Sequence, residues 1–235
     1  MSALEITRDK KTDSPCVIFD LDGTLMDTAM GVGESVRKVL CEMGRPLPDD
    51  ASLRAFIGPP IYESFQRLCN IIPPELNAAT ERFRSVYKVD FLLEASPIPG
   101  IFELLHGLRT MGFRLAVATN KRHDYTETLL EHFGFTPYFD VIQGSDFENK
   151  LKKPDIIALC MERMNAKAAA TVMIGDSISD LNGAKSNGIV FFAVTYGFGF
   201  RSKEEALSLG ASGVFDTAHE LLRYFRKNSE GFESC

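Results

Sequence analysis

Cys16-Val-Ile-Phe-Asp20-Leu-Asp22-Gly-Thr-Leu25 is the stretch that decides the fold. Four apolar residues stop abruptly at acidic residues and a glycine, the pattern of a short strand buried on both faces. Outward from it toward the N-terminus, Met1–Ser14 is polar and lacks the apolar run of a signal peptide. In the other direction, from about residue 28 to 95, apolar residues recur at helical spacing. Val32, Val36, Val39, Leu40 and Met43 share one face. Ile61, Phe65, Leu68, Cys69 and Ile72 share another, and Leu76, Ala79, Phe83, Val86 and Tyr87 a third. Breakers at Pro46/Pro48, Gly58-Pro59-Pro60 and Pro73-Pro74 separate them, so the segment reads as several helices with no strand between.

From Pro97 the rhythm changes. Helices are predicted at about 100–111, 123–133, 154–164, 178–187 and 217–227. Between them lie strands at 115–118, 141–142, 171–174, 190–193 and 213–215. Such alternation implies a Rossmann-like α/β core, a parallel sheet with helices on both faces. The expected organisation is a discontinuous core of residues 15–27 and 97–235, with an all-helical subdomain inserted at 28–96. Its hinges are expected near Asp27-Thr28 and Ser96-Pro97.

Composition narrows the function. The chain has 235 residues, 45% hydrophobic and 25% charged, enough to bury a core without staples and unlike a disordered chain. A net charge of -6 removes the basic field that nucleic acid or an anionic membrane requires. An anionic substrate stays open, because a bound divalent cation reverses the local potential. Five scattered cysteines (Cys16, Cys41, Cys69, Cys160, Cys235), with no CxxC, argue for reduced thiols rather than disulfides or zinc. No apolar run approaches a membrane span. A soluble cytoplasmic protein is therefore expected, as monomer or homodimer.

Ligands of open α/β sheets bind beyond the carboxyl ends of the strands. Asp20 and Asp22 follow the first strand, Thr119-Asn120 the next core strand, and Gly175-Asp176-Ser-Ile-Ser-Asp180 a third; Lys153-Pro154 opens a helix. Singly these residues have ordinary uses: Asp20 or Asp22 in a turn, Thr119 as a helix cap, Lys153 in solvent. Together they set four carboxylates on one sheet edge, which is costly unless a cation neutralises them.

In this order the motifs DLDGTL at 20–25, Thr119-Asn120, Lys153-Pro154 and GDSISD at 175–180 resemble the haloacid dehalogenase (HAD) superfamily, over about residues 16 to 227. The helical insert resembles its C1-type cap. GFGFRSKEEAL at 197–207 and GASGVFDTAHEL at 210–221 resemble the phosphoglycolate-phosphatase-like branch. The resemblance implies an aspartyl-phosphate formed on Asp20. It implies Mg²⁺ held by Asp20, the Asp22 backbone carbonyl and Asp176. Asp22 would protonate the leaving oxygen and later accept a proton from water. Thr119, Asn120 and Lys153 would hold the phosphoryl oxygens, and Asp180 would orient the metal site or Lys153.

Within that superfamily, dehalogenases and phosphonate hydrolases lack the second aspartate, so Asp22 points to phosphate esters. The expected activity is a Mg²⁺-dependent phosphatase acting on a small phosphorylated metabolite: phosphoglycolate, a sugar phosphate or a nucleoside monophosphate. A phosphomutase of the β-phosphoglucomutase kind and a catalytically silent binding protein are the alternatives. Substrate choice is expected in the cap, at the loop Phe56-Ile-Gly58-Pro59-Pro60, with Arg54, Tyr62 and Ser64 as readers; Gly-Pro-Pro also serves to end one helix and start the next. His106, His123, His132 and His219 lie apart, Cys16 reads as core, and the phenylalanines near Gly197–Gly199 read as packing. Lys150, Lys152 and Lys153 form too small a basic cluster to attract nucleic acid.

Overall fold

The computed structural model describes residues 14–147 and 150–232. The tail before Ser14 and Cys235 lie outside them; Cys16, Cys41, Cys69 and Cys160 are free thiols. The chain opens with β1 (Cys16–Phe19) and a two-residue strand β2 (Met26–Asp27). Helices α1 (Ala29–Glu42), α2 (Asp50–Arg54), α3 (Ile61–Cys69) and α4 (Glu75–Val86) follow, and α4 runs into a π-helical turn at Tyr87–Phe91. Strand β3 (Ser96–Pro97) then pairs antiparallel with β2, Met26 opposite Pro97 and Asp27 opposite Ser96. Asp27, Ser96 and Pro97, near which the hinges are expected, thus lie together in one small ribbon, with Thr28 capping α1 beside it.

The remainder alternates. In order come α5 (Ile101–Thr110), β4 (Arg114–Arg122), α6 (His123–His132), β5 (Val141–Ser145), α7 (Lys153–Arg163), β6 (Thr171–Gly175) and α8 (Ile178–Ser186). Strand β7 (Val190–Val194), α9 (Lys203–Leu209), β8 (Gly213–Phe215) and α10 (Ala218–Phe232) complete it. The six-stranded sheet has the order β5-β4-β1-β6-β7-β8, and its neighbouring strands pair parallel.

Side-chain alternation along the strands divides the core. Val17, Phe19, Val117, Ile174 and Val194 face α5, α6 and α10, whereas Cys16, Ile18, Ala116, Met173 and Ala193 face α7, α8 and α9. The first of these clusters runs on without a break into the inserted helices through Val36, Phe65 and Phe83. Phe65 sits edge-on to both Phe56 and Phe83.

Two expectations need correction. Strand β4 does not end at 118: it continues to Arg122 through polar residues that an apolar pattern cannot register. Ile72 does not share a face with Phe65. It is 67% exposed, because Asn70 takes a left-handed conformation (φ 51°) that ends α3 and breaks the helical phase.

Candidate active site

Strand β1 lies between β4 and β6, so the carboxyl ends of these three strands adjoin. Asp20 leaves β1 there, and its amide donates to the Ile174 carbonyl of β6 (2.9 Å). Asp176 follows β6, and Asp180 stands in the first turn of α8. Oxygens of Asp20, Asp176 and Asp180 lie within 4.8 Å of one another, and all three residues are buried.

Lys153, the first residue of α7, is driven into this cluster. Its Nζ lies 2.6 Å from Asp20 Oδ1 and 2.8 Å from Asp180 Oδ1, and donates to the Ala118 carbonyl at 2.9 Å. Gly183 makes the approach possible, since a Cβ there would stand 2.8 Å from Lys153 Cγ and 2.7 Å from Ile157. Asp180 keeps its other oxygen for the first turn of its own helix, accepting from the Ser177 amide (3.1 Å) and hydroxyl (2.6 Å). Both its oxygens are therefore engaged with protein.

Burial is the largest influence on the pKa of Asp20 and raises it to about 7; the Lys153 ammonium opposes that rise, and the Asp180 and Asp22 carboxylates add to it. Asp176 is also held well above the carboxylate range by burial, with Asp180 and Asp20 reinforcing the effect. Burial alone would lower the pKa of Lys153, but Asp180 and Asp20 outweigh it and hold the pKa above the ordinary lysine value. Three buried carboxylates thus face one ammonium. This oxygen-only, net-negative cluster fits a small hard divalent cation.

Asp22 stands apart from that trio. Its Oδ1 accepts from Thr28 Oγ1 (2.7 Å) and lies 2.8 Å from Lys121 Nζ. Thr119 is buried, and its Oγ1 accepts from the Lys121 amide at 3.2 Å. It does not cap α6, whose N-cap is Arg122. Asn120 Nδ2 donates to the Gly58 carbonyl (3.4 Å) and to Ser179 Oγ (3.3 Å), joining the core to the expected specificity loop.

A cavity of about 80 Å³ opens between the inserted helices and the sheet edge. Asp22, Asn120 and Lys121 line it from the core, and Phe56, Gly58, Pro59, Pro60 and Tyr87 from the insert. Pro60 is also the N-cap of α3, so the loop starts that helix as well as lining the cavity. Arg54, Tyr62 and Ser64 are not among the lining residues: Arg54 is exposed beside a separate hollow, and Ser64 is fully buried.

Five residues outside the expected set contribute. Lys121 and Thr28 hold Asp22, and Tyr87 meets Lys121, its hydroxyl accepting from Nζ at 2.9 Å. The Phe198 and Gly199 amides donate to Asp176 Oδ2 at 2.6 and 3.2 Å, so the Gly197–Gly199 loop fastens an acidic residue rather than only packing. The signals were present, for Lys121 directly follows Thr119-Asn120 and glycines flank Phe198. Among the described residues no histidine joins a metal-ligating group, and no helix is long and apolar enough to cross a membrane.

The chain is similar to several known proteins. The chain is 35% identical over 220 residues to "Probable phosphatase IndB" of Dickeya dadantii, covering 89% of this chain and 95% of that one. It is 35% identical over 214 residues to tyrosine-protein kinase PtkA of Mycobacterium tuberculosis, covering 88% and 72%. To a phosphoglycolate phosphatase of Rhodospirillum rubrum it is 32% identical over 210 residues, covering 85% and 86%. The crystal structure of a predicted phosphatase from Clostridium acetobutylicum superposes with a TM-score of 0.85 at 37% identity, covering 91% of this chain and 99% of that one. A profile of the haloacid dehalogenase-like hydrolases matches residues 17–194, about three quarters of the chain. With the acidic sheet edge in place, the chain belongs to the haloacid dehalogenase-like hydrolase family.

Proposed function

We propose that this protein is a Mg²⁺-dependent phosphatase that hydrolyses a small phosphorylated metabolite. The observation that carries the reading is the division of labour between two neighbouring carboxylates. Asp20 is held by Lys153 within the metal-suited trio, while Asp22 turns away to Lys121 and Thr28 at the cavity wall. Two carboxylates in different surroundings suit different tasks.

In this reading Asp20 attacks phosphorus as nucleophile. The ester P–O bond breaks, its electron pair goes to the leaving oxygen, and that oxygen takes a proton from Asp22. Water then attacks the phosphorus of the aspartyl-phosphate and gives its proton to Asp22, which regenerates Asp20 and frees phosphate. Thr119, Asn120 and Lys153 hold the phosphoryl oxygens. Asp20, Asp176 and the Asp22 backbone carbonyl would hold Mg²⁺, which when bound supplies charge neutralisation between carboxylate and phosphate dianion. Asp180 keeps Lys153 in place from its capping position. Residues 28–96 act as a cap, with Gly58, Pro59 and Pro60 facing the substrate.

The test is phosphate release from a panel of phosphoglycolate, sugar phosphates and nucleoside monophosphates, run with Mg²⁺ and with EDTA. Release that EDTA abolishes supports the reading, and the ranking of kcat/KM names the substrate. Absence of release from every ester, or release indifferent to EDTA, overturns it.

A further inference from the structure

Strands β4 and β5 do not stay in simple register. Ala118 pairs with Gln143 and Arg122 with Ser145, so three residues of β4 are accommodated opposite the single Gly144 of β5. Such irregularities re-aim side chains and occur beside active sites. Gly144 is what permits this one: a Cβ there would stand 2.6 Å from the Lys121 carbonyl oxygen and from His123 Cα. The displaced residues are Thr119, Asn120 and Lys121.

Lys121 is thereby set beneath the cavity with its side chain only 7% exposed. A buried ammonium needs partners. Among the described residues its carboxylate partner is Asp22, and its hydroxyl partner is Tyr87 of the π-helical turn. Tyr87 is itself fixed by stacking on Phe83 (5.5 Å, 11°) and by an edge contact with Tyr125 (5.7 Å). The side-chain contacts from Lys121 and Thr28 to Asp22 both fall on Oδ1. Pinned at one oxygen from two sides, the carboxylate can present only the other to the cavity.

We propose that Lys121 is a positioning residue for the acid–base step: together with Thr28 it anchors Asp22 through Oδ1, so that Oδ2 meets the leaving oxygen, and Tyr87 ties this anchor to the inserted helices. This rests on the phosphatase reading above. Its consequence is specific to the proton that Asp22 delivers. An alkoxide leaves poorly without that proton, whereas a nitrophenolate leaves well without it. The parameter to read is kcat/KM, which covers events up to the first irreversible bond cleavage and excludes the later attack by water, a step common to all esters.

The experiment measures kcat/KM for glycerol phosphate and for nitrophenyl phosphate, with Mg²⁺, in the wild type and in Lys121→Met and Tyr87→Phe. Lys121→Met is expected to lose on the order of 10²-fold on the alkyl ester, the scale of general acid catalysis, and less than about one tenth of that on the nitrophenyl ester. Tyr87→Phe keeps the ring contacts and should show the same asymmetry at several-fold size. Equal losses on both esters, as from a phosphate-holding or merely structural role, overturn the inference, as does undiminished Lys121→Met activity. If Lys121→Met does not fold, the ester ratio of Tyr87→Phe decides, and a ratio equal to wild type overturns it. Should the wild type leave glycerol phosphate intact, the best alkyl ester of the metabolite panel takes its place; wild-type protein that cleaves no ester of that panel and neither of these two removes the phosphatase reading, and the inference with it.

Discussion

Replacing Lys153 by methionine should destabilise the metal-free protein strongly, and more so at higher pH. The lysine contacts Asp20 Oδ1 at 2.6 Å, Asp180 Oδ1 at 2.8 Å and the Ala118 carbonyl at 2.9 Å, all in buried surroundings. Methionine fills similar space but leaves two carboxylates and a carbonyl without that cation. Breaking a buried pair from one side costs about 3–5 kcal/mol. For a chain of this size, at about 2–4 °C per kcal/mol, Tm should fall by roughly 6–20 °C. The pH dependence follows from Asp20, whose pKa is raised from 3.8 to about 7, chiefly by burial. An acid raised on folding contributes stability that is complete below its unfolded pKa and lost as pH climbs through its folded pKa. Lys153 opposes the rise, so removing the lysine moves the pKa higher and lengthens that loss. Thermal unfolding in EDTA at pH 5.5 and pH 8 is the assay, with the wild-type-to-variant gap wider at pH 8. A gap near zero, or one wider at pH 5.5, would refute this reasoning.

Other outcomes follow from the same site. Gly197→Ala sets a Cβ 2.5 Å from the Gly23 carbonyl oxygen and closer still to the Asp176 carboxylate. It should cost about 1–3 kcal/mol by overpacking and weaken Mg²⁺ affinity by displacing the Phe198 and Gly199 amides, which a Mg²⁺ titration of activity reads. Because Asp20 and Asp176 must lose their raised-pKa protons to bind metal, Mg²⁺ should raise Tm more at pH 8 than at pH 5.5, measured by thermal shift. The Cys160 thiol is pushed up to about 12 by burial, whereas Cys41 is exposed. Iodoacetamide at pH 8 should therefore label Cys41 and spare Cys160 in peptide mass maps of the folded protein.

The fold was legible because β1, β4, β6 and β7 carry compact apolar runs and the inserted helices keep a helical period through Val36, Phe65 and Phe83. Every residue chosen at the strand ends, from Asp20 to Asp180, lies at or beside one sheet edge. What stayed hidden was of two kinds. The two-residue strands at Met26–Asp27 and Ser96–Pro97 are too short for any pattern to declare. Lys121, Thr28 and Tyr87 converge on Asp22 from places distant in sequence, brought together by an irregular strand register and a π-helical turn that periodicity does not encode. Arg54, Tyr62 and Ser64 were chosen for nearness in sequence to Gly58, but the chain turns into α3 at Pro60 and carries Ser64 into the interior.

The claim at the centre is that Asp20 forms a covalent bond to phosphorus. Rapid acid quench during turnover with Mg²⁺ and the best ester of the panel, followed by mass analysis of the peptide carrying Asp20, tests it directly. One phosphoryl group on Asp20 is expected in the wild type, and none in folded Asp20→Asn protein, which should also release no phosphate. Folded Asp20→Asn protein that turns over at the wild-type rate would contradict it.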